Sequence, residues 1–261
     1  MRAYARAPTA ARDVFLDVTW LPRVCRGCHT ESERLNNKVL IVDDEPDVIR
    51  LVGTSLAREG FQVLTASDGP TALTSASRDE PALIVLDIIM PGMTGFEVTR
   101  KLKEDRMTVH IPILLLSAQH EEVDRILGFE LGVDDFVSKP FSPRELVLRV
   151  KTIIGRKRRS EEEGRVFRFG ELTVDSQRHE VFFRKEAIHL TMIEFKILVG
   201  LMSASGRVVS REDLIRLAWG AEQTVDIRTV DTHLRRLRER LGMASAQIQT
   251  VRGFGYRIEV S

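Results

Sequence analysis

Lys38-Val-Leu-Ile-Val-Asp-Asp-Glu45 places a short apolar run directly before two aspartates. Two later runs have the same form: Leu83–Leu86 ends at Asp87, and Ile113–Leu116 ends at Ser117. Continuous runs of Val, Ile and Leu are typical of strands that are buried on both faces of a parallel sheet. We therefore predict that these runs are strands of one parallel sheet.

Segments with helical periodicity lie between the apolar runs. They cover Asp47–Arg58, Gly69–Ser77, Gly95–Lys103, His120–Leu131 and Ser142–Ile154. Strands that alternate with helices predict a doubly wound, flavodoxin-like α/β domain. In such domains ligands bind at the carboxyl ends of the strands. The residues expected to converge at that edge are Asp43, Asp44, Asp87, Ser117 and Lys139.

The side chains expected at this edge suit phosphoryl transfer. Crowded carboxylates repel one another and so favour a bound cation. Oxygen ligands suit a hard ion such as Mg²⁺ rather than zinc. Lys139 adds a positive charge and Ser117 adds a hydroxyl donor. Together these groups offer positioning, charge neutralisation and a carboxylate nucleophile.

Four short motifs follow one another in the same segment. They read Val-Asp43-Asp44-Glu, Leu-Asp87-Ile-Ile-Met-Pro-Gly, Leu-Ser117-Ala and Ser-Lys139-Pro140-Phe141. A single Asp after a strand is commonly a helix cap or turn residue, whereas four motifs in order are specific. Over residues 38–154 the chain resembles the receiver domain of response regulators, a parallel five-stranded α/β fold.

This resemblance implies a role for each motif residue. Asp87 would accept the phosphoryl group from a sensor histidine kinase, and Lys139 would pair with the phosphoryl oxygens. Ser117 and Phe136 would move inward as a switch, and the family would suggest a cis peptide before Pro140. Close relatives usually have Tyr where this chain has Phe136, so the switch equilibrium is expected to differ. The implied Mg²⁺ ligands are Asp43, Asp44, Asp87 and the backbone carbonyl of Ile89.

The C-terminal part reads as short strands, three helices and a closing hairpin. The strands are predicted at Val166–Phe169, Leu172–Val174 and Val181–Phe183, the helices after Thr191, from Ser210 to Trp219 and over Thr224–Leu241, and the hairpin at Gln249–Val260. One stripe of the third helix is apolar. The opposite stripe carries Arg228, Asp231, Arg235 and Arg238, with His233 and Arg236 close by. Such a helix fits a DNA major groove, although a solvated face with internal ion pairs has the same pattern.

Three motifs resolve this ambiguity by resemblance. They are Leu190-Thr-x-x-Glu194-Phe195, Val230-Asp231-x-His233-x-Arg235-Arg236-Leu237-Arg238 and Val251-Arg252-Gly253-x-Gly255-Tyr256-Arg257. Residues 165–260 thus resemble the α+β winged helix-turn-helix domain of the OmpR/PhoB family. The resemblance implies base contacts from Asp231 and Arg236, and phosphate contacts from Arg228, His233, Arg235 and Arg238. It also implies that Arg252 enters a minor groove and that the loop between Trp219 and Thr224 faces RNA polymerase.

The same resemblance implies a homodimer that forms on phosphorylation. Its interface would comprise the helix at 120–131, the strand near 135–138 and the helix at 142–154. Arg125 with Glu145, and Asp135 with Arg149, match the cross-dimer ion pairs of the family. Dimerisation would then place two recognition helices on promoter DNA.

Length and charge agree with two functional domains. The chain has 261 residues, and we divide it into a receiver at 37–154, a solvated linker at 155–164 and a DNA-binding domain at 165–261. The receiver has 13 basic and 19 acidic residues (net −6), and the DNA-binding domain has 16 and 12 (net +4). No apolar run reaches the roughly 18 residues that span a bilayer, so we expect a cytoplasmic protein without a membrane partner.

Residues 1–36 match nothing in the family. They include Cys25-Arg-Gly-Cys28-His29, which fits the c-type haem pattern, and such a haem or thiol sensor is one alternative. We interpret the segment as a disordered tail or as an upstream stretch translated from a wrongly chosen start.

Two other functions use similar residues. An aspartate-nucleophile phosphatase of the haloacid dehalogenase type would need a second acid two residues after Asp87, where this chain has Ile89. A phosphorylation-independent DNA-binding protein would need no intact Asp87, Ser117 or Lys139. We therefore expect a phosphorylation-dependent regulator and not an enzyme.

Overall fold

The structure is a computed structural model that describes residues 37–118, 122–162, 165–220 and 225–259. Residues 1–36, with Cys25 and Cys28, lie outside the described residues, as do 221–224 of the loop predicted to face RNA polymerase. The described residues form one compact unit.

The first half is a parallel α/β sheet with helices on both faces. Its strands are β1 (Lys38–Val42), β2 (Gln62–Ala66), β3 (Leu83–Asp87), β4 (Ile113–Ala118) and β5 (Asp135–Lys139). Its helices are α1 (Pro46–Arg58), α2 (Gly69–Asp79), α3 (Gly95–Glu104), α4 (Glu122–Leu131) and α5 (Pro143–Glu162). The strand order β2-β1-β3-β4-β5 confirms the predicted doubly wound, five-stranded sheet.

Burial on both faces explains why the strands are uninterrupted apolar runs. Alternate residues of one strand point to opposite sides, so Leu40 joins one hydrophobic cluster and Ile41 the other. In the register of the sheet, Val42 lies beside Leu86, and Asp87 beside Leu116. The carboxyl ends of β1, β3 and β4 therefore meet at one edge.

The loop after β3 is shaped by a glycine at the start of α3. A Cβ on Gly95 would lie 2.2 Å from the backbone oxygen of Asp87, so no other residue fits there without displacing the main chain. Thr94 and Glu97 form a reciprocal capping box that begins the helix at this point. These local features hold the Asp87 loop against α3.

The second half contains two small antiparallel sheets and three helices. A four-stranded sheet comprises β6 (Val166–Phe169), β7 (Leu172–Asp175), β8 (Glu180–Phe183) and β9 (Glu186–Ile188). The helices are α6 (Met192–Ser203), α7 (Arg211–Trp219) and α8 (Ile227–Leu241), and β10 (Ile248–Val251) pairs with β11 (Gly255–Ile258) in the closing hairpin. This is the predicted winged helix-turn-helix arrangement.

Two element boundaries differ from the sequence prediction by more than two residues. Helix α5 continues beyond Ile154 to Glu162, through most of the segment predicted as a solvated linker. The residues there are mostly Arg, Lys and Glu, which are good helix formers, and the single Gly155 does not outweigh them. Helix α8 begins at Ile227 rather than Thr224, because the Asp226 side chain caps it by accepting from the Arg228 backbone N–H.

Within the described part of the chain, no helix combines the length and the apolar character that crossing a membrane requires.

Candidate functional site

Three carboxylates meet at the carboxyl edge of the parallel sheet. Asp43 and Asp44 follow β1, and Asp87 ends β3; each offers a carboxylate oxygen, and these oxygens lie within 4.8 Å of one another. Asp43 and Asp87 are buried, whereas Asp44 is exposed. An all-oxygen cluster that is open to solvent on one side suits a hard divalent cation. The predicted convergence of these three residues is confirmed.

Lys139 connects two of these carboxylates. It ends β5 just before a cis peptide bond to Pro140, and its Nζ lies 2.9 Å from Oδ2 of Asp43 and 3.1 Å from Oδ2 of Asp87. Burial opposes its charged form, but hydrogen bonds to both carboxylates outweigh burial and raise the pKa of Lys139. The ammonium group therefore stays charged and partly neutralises the buried acids.

Burial disfavours the charged form of Asp87. Burial raises the pKa of Asp87, although Lys139 and the backbone N–H of Ile88, which donates to Oδ1 at 3.0 Å, both act to lower it. A buried carboxylate whose charged form is disfavoured gains from additional positive charge nearby. A divalent cation at the acidic cluster would supply that charge.

The predicted switch residues lie on β4 and β5, the two strands that follow β3 in the sheet. Ser117 is buried on β4, next to β3. Phe136 is buried on β5, with its ring centroid 4.9 Å from that of Phe129 on α4. A Cβ on Gly128 would lie 2.2 Å from the Phe136 ring, so only glycine leaves room for the ring in this position. Ile89 was predicted to bind the metal through its backbone carbonyl alone, and its side chain is exposed.

Two family models match the chain. One, described as a response regulator receiver domain, matches residues 39–151, and the other, described as the C-terminal part of transcriptional regulatory proteins, matches residues 185–258. The transcriptional regulatory protein SrrA of Staphylococcus aureus (strain NCTC 8325 / PS 47) is 42% identical over 236 residues, covering 87% of this chain and 97% of SrrA. The alkaline phosphatase synthesis transcriptional regulatory protein PhoP of Bacillus subtilis (strain 168) is 38% identical, with 86% and 98% covered.

The chain belongs to the OmpR/PhoB family of response regulators. It is a two-component transcriptional regulator, and its relatives are transcriptional regulators rather than enzymes. Its receiver implies a kinase partner and its effector domain implies DNA. A solved structure of a single-residue mutant of RitR shares the fold, with a TM-score of 0.69, 24% identity, and 86% of this chain and 100% of that chain covered.

In this regulator the recognition helix α8 presents part of its predicted DNA-binding face to solvent. Arg228 and Arg235 are exposed, and Arg235 makes an exposed ion pair with Glu239 at 3.4 Å. Arg252 is exposed beyond the end of β10. Arg238 instead donates to the backbone oxygen of Ile248 at 3.0 Å, which ties the helix to the wing.

A polar network that the sequence did not reveal holds Asp231. Arg211 Nε lies 2.8 Å from Oδ1 of Asp231, and the Tyr256 hydroxyl donates to the same oxygen at 2.6 Å. Burial opposes ionisation of this carboxyl, but these two hydrogen bonds outweigh it and lower its pKa. Asp231 is therefore a charged anchor between α7, α8 and the wing. Arg211 lies in no motif, and the motif position of Tyr256 did not indicate this pairing.

His233 and Arg236 contact the receiver in this arrangement. His233 is 1% exposed, and its Nε2 lies 2.7 Å from the backbone oxygen of Phe129. Arg236 Nη1 donates to the backbone oxygen of Glu130, the next residue of α4. Both side chains were predicted to contact DNA, and the receiver covers that part of α8.

Further contacts surround this interface. Trp219 is fully buried, and its indole N–H donates to the backbone oxygen of Val133 at 3.4 Å. Arg240 Nη2 donates to the backbone oxygen of Lys103 at 2.9 Å, and Lys196 Nζ lies 3.6 Å from Oδ1 of Asp134. The regulator is thus closed, with α8 packed on the receiver.

Three of the four residues predicted to form cross-dimer ion pairs contact one another within the chain. Arg149 contacts Asp135 at 3.0 Å and Glu145 at 3.1 Å. Arg125 lies on α4, the helix that also contacts α8. Pairing across a dimer would require Arg149 to exchange these partners.

Proposed function

We propose that this regulator accepts a phosphoryl group on Asp87 from a sensor histidine kinase and then binds promoter DNA. The phosphorus–nitrogen bond of the kinase phosphohistidine breaks as a bond forms between phosphorus and the Asp87 carboxylate oxygen. The departing imidazole nitrogen takes up a proton. The observation that supports this proposal most is the position of Lys139, within 3.1 Å of both Asp43 and Asp87 at the metal-suited cluster.

The proposed metal is Mg²⁺. Asp43, Asp44 and Asp87 would be its side-chain ligands, and the backbone carbonyl of Ile89 would be a fourth. The bound ion supplies positive charge to the transferring phosphoryl oxygens. Lys139 would hold one of these oxygens, while Ser117 would donate its hydroxyl to another and Phe136 would follow it inward.

The proposed output is a homodimer on promoter DNA in the cytoplasm. Arg125 with Glu145, and Asp135 with Arg149, would pair across the dimer. An ion pair adds little binding energy where it is exposed, so these pairs would set the register of the interface. RNA polymerase would meet the loop before α8.

The proposed DNA contacts fall into two groups. Asp231 and Arg236 would face base edges, which determines sequence preference. Phosphates would be held by Arg228, His233, Arg235 and Arg238, and Arg252 would enter the minor groove.

The test is a gel-shift titration with genomic fragments, using wild type and Asp87→Ala, each with and without acetyl phosphate and Mg²⁺. We expect only the wild-type protein to gain affinity, and a phosphate-retarding gel to show the phosphoprotein only for wild type with Mg²⁺. Equal binding by both proteins under all conditions would favour a phosphorylation-independent regulator.

A further inference from the structure

The tip of the closing hairpin exposes an aromatic side chain. Phe254 is 73% exposed, more than any other large apolar residue that the structure describes. It lies in the three-residue connection between Val251 and Gly255, the last paired residues of β10 and β11. The ring contributes little to folding, because its apolar surface stays in water. Contact with a partner would remove that surface from water.

The backbone of the tip is a defined turn. The backbone N–H of Phe254 donates to the backbone oxygen of Val251 at 3.0 Å, which closes a four-residue turn. Gly253 occupies the third position of the turn with a φ of 80°. A type II turn requires this left-handed conformation at its third position, and glycine adopts it without strain. Phe254 is therefore held by an ordered turn at the end of the hairpin.

The base of the hairpin is fixed to the rest of the DNA-binding domain. A Cβ on Gly255 would lie 2.1 Å from the backbone oxygen of Val209, so the two main chains touch at this point. Val209 and Tyr256 exchange two backbone hydrogen bonds, at 2.8 and 3.0 Å, just before α7 begins. The Tyr256 hydroxyl also reaches Asp231 of α8. The hairpin thus has a defined position relative to the recognition helix.

The charge of the tip indicates the kind of partner. Arg252, two residues before Phe254, is exposed. No acidic residue occurs in the sequence from Gln249 to Arg257. An exposed guanidinium next to an exposed phenyl ring suits a surface that combines negative charge with stacked apolar faces. The DNA minor groove is such a surface, since it lies between two phosphate backbones and its base steps can admit an apolar side chain.

We infer that Phe254 is a wedge that enters the DNA minor groove beside Arg252 and partly separates two stacked base pairs. The inference rests on the proposed function, in which Arg252 enters the minor groove. Apolar side chains inserted in this way unstack a base step and kink the duplex toward the major groove. The fixed base of the hairpin transmits the kink to the DNA under α8.

The wedge gives the protein a sequence preference that needs no hydrogen bond to a base. Pyrimidine–purine steps such as TA are the most easily kinked. Arginine side chains in the minor groove distinguish A·T from G·C pairs. A TA step satisfies both side chains, because it consists of A·T pairs and deforms readily. We expect this step where the hairpin tip meets the DNA.

The first experiment measures the bend that the ring imposes. The full-length wild type, with acetyl phosphate and Mg²⁺, selects its sites from random-sequence DNA duplexes, and energy transfer between dyes at the two ends of a selected duplex reports its bend. Phe254→Ala removes the ring, whereas Phe254→Leu keeps an apolar side chain that still acts as a wedge. The control Met107→Ala removes a side chain that is 57% exposed between α3 and β4 of the receiver.

Only the alanine variant at the tip should lose the bend. We expect Phe254→Ala to bind the selected duplex about tenfold more weakly than wild type and to bend it far less, because the buried area of the ring is lost. Phe254→Leu should keep most of the bend, and Met107→Ala should match wild type. All of these proteins should melt at the same temperature, because the changed side chains are exposed.

The second experiment changes the deformability of the DNA alone. The TA step at the hairpin position is replaced by AA, which presents the same minor-groove acceptors but is stiffer. We expect wild type to lose affinity several-fold and Phe254→Ala to lose none, so the two changes are not additive. Selected sites without a pyrimidine–purine step at this position would overturn the inference.

The outcomes separate the two proposals. If wild type binds no duplex in either phosphorylation state, the proposed function fails and the wedge fails with it. If wild type binds and Phe254→Ala bends the duplex equally, the wedge is rejected at any affinity of the variant, while the proposed function stands. Equal losses of affinity for TA and AA duplexes in Phe254→Ala would likewise reduce Phe254 to a surface contact and reject the wedge.

Discussion

The carboxyl edge of the receiver sheet and the recognition helix were both predicted from short motifs. The sheet edge has the predicted contacts, whereas part of the helix makes contacts that were not predicted. At the sheet edge, Asp43, Asp87 and Lys139 meet as expected. On α8, Arg228 and Arg235 are exposed as expected, whereas His233 and Arg236 are held by the receiver. A site built on strand ends is determined by its own sheet, but a helix face is available only if nothing else packs on it.

The strongest way to break the sheet-edge site is to add one methyl group. Gly95→Ala would place a carbon 2.2 Å from the Asp87 backbone oxygen, and the loop has to move to relieve the clash. We expect a loss of about 3 kcal/mol in the free energy of unfolding, measured by urea denaturation. The control Gly155→Ala, where nothing lies within 4 Å, should stabilise α5 by up to about 1 kcal/mol. An equal effect of both changes would show that the edge is not tightly packed.

Removal of Lys139 should break the same site electrostatically. Lys139→Ala leaves the buried carboxylates of Asp43 and Asp87 without this cation, and we expect a loss of about 2 kcal/mol without metal. Mg²⁺ should raise the melting temperature of the variant more than that of wild type, because the ion replaces the missing charge. Lys151→Ala breaks the exposed pair with Glu59 and should cost under about 1 kcal/mol, and Mg²⁺ should raise its melting temperature only as much as that of wild type. Mg²⁺ shifts of equal size in both variants would contradict the expectation that the ion replaces the charge of Lys139.

Acidification should distinguish the two regions, because it acts on the contact between His233 of α8 and the receiver. Burial lowers the pKa of His233 to about 4, with Arg236 and Lys103 adding to this effect, while the hydrogen bond to Phe129 and the charge of Asp134 oppose it. Glu194 and Arg240, which also line the adjoining cavity, form an ion pair with each other at 3.4 Å. The closed arrangement thus takes up fewer protons than an open one, in which the His233 pKa would be near 6.5.

The sign of the pH effect follows from these two pKa values. The stability that neutral His233 contributes to closure is fully present above about pH 6.5 and is lost as the pH falls towards about 4. From pH 7.5 to 5.5 the ratio of closed to open protein should fall about tenfold. Acrylamide quenching of Trp219 fluorescence would measure this fall in a Trp20→Phe variant, in which Trp219 is the single tryptophan. His233→Gln does not titrate and should show a much flatter response. The same pH response in His233→Gln would assign the effect to another group.

The smallest expected effect is on the exposed side of α8. Glu239→Gln removes the exposed ion pair with Arg235, so the free energy of unfolding should change by less than about 0.5 kcal/mol. DNA affinity should rise modestly at low salt, because one negative charge near the duplex is lost. A fall in DNA affinity at constant stability would show that Glu239 itself contacts DNA.

Much of the receiver could be predicted because its signals are local. Apolar runs such as Lys38–Val42 need two buried faces, and carboxylates directly after them can only lie at the strand ends. The predicted end of α5 was also wrong for a local reason. Charged residues at 155–162 are good helix formers as well as good linker residues, and the helix continues through them. Strand β9 was not predicted, because its three residues are too few to show an alternating pattern.

The partners of α8 could not be predicted from its sequence. The Asp231 network needs Arg211 from α7 and Tyr256 from the wing, which lie 20 and 25 residues away along the chain. His233 meets Phe129, 104 residues earlier. Helical periodicity shows which residues share a face and carries no information on what packs against that face.

The sequence by itself determined the five-stranded receiver, the winged helix and the chemistry of Asp43, Asp44, Asp87 and Lys139. It could do so because apolar strand runs, helix caps and side-chain charges can be read from residues that lie close together along the chain. Only the tertiary structure decided which residues of α8 are exposed, because the backbone oxygens at the end of α4 hold His233 and Arg236. A hydrogen-bond donor binds whichever acceptor the folded chain brings within about 3 Å of it.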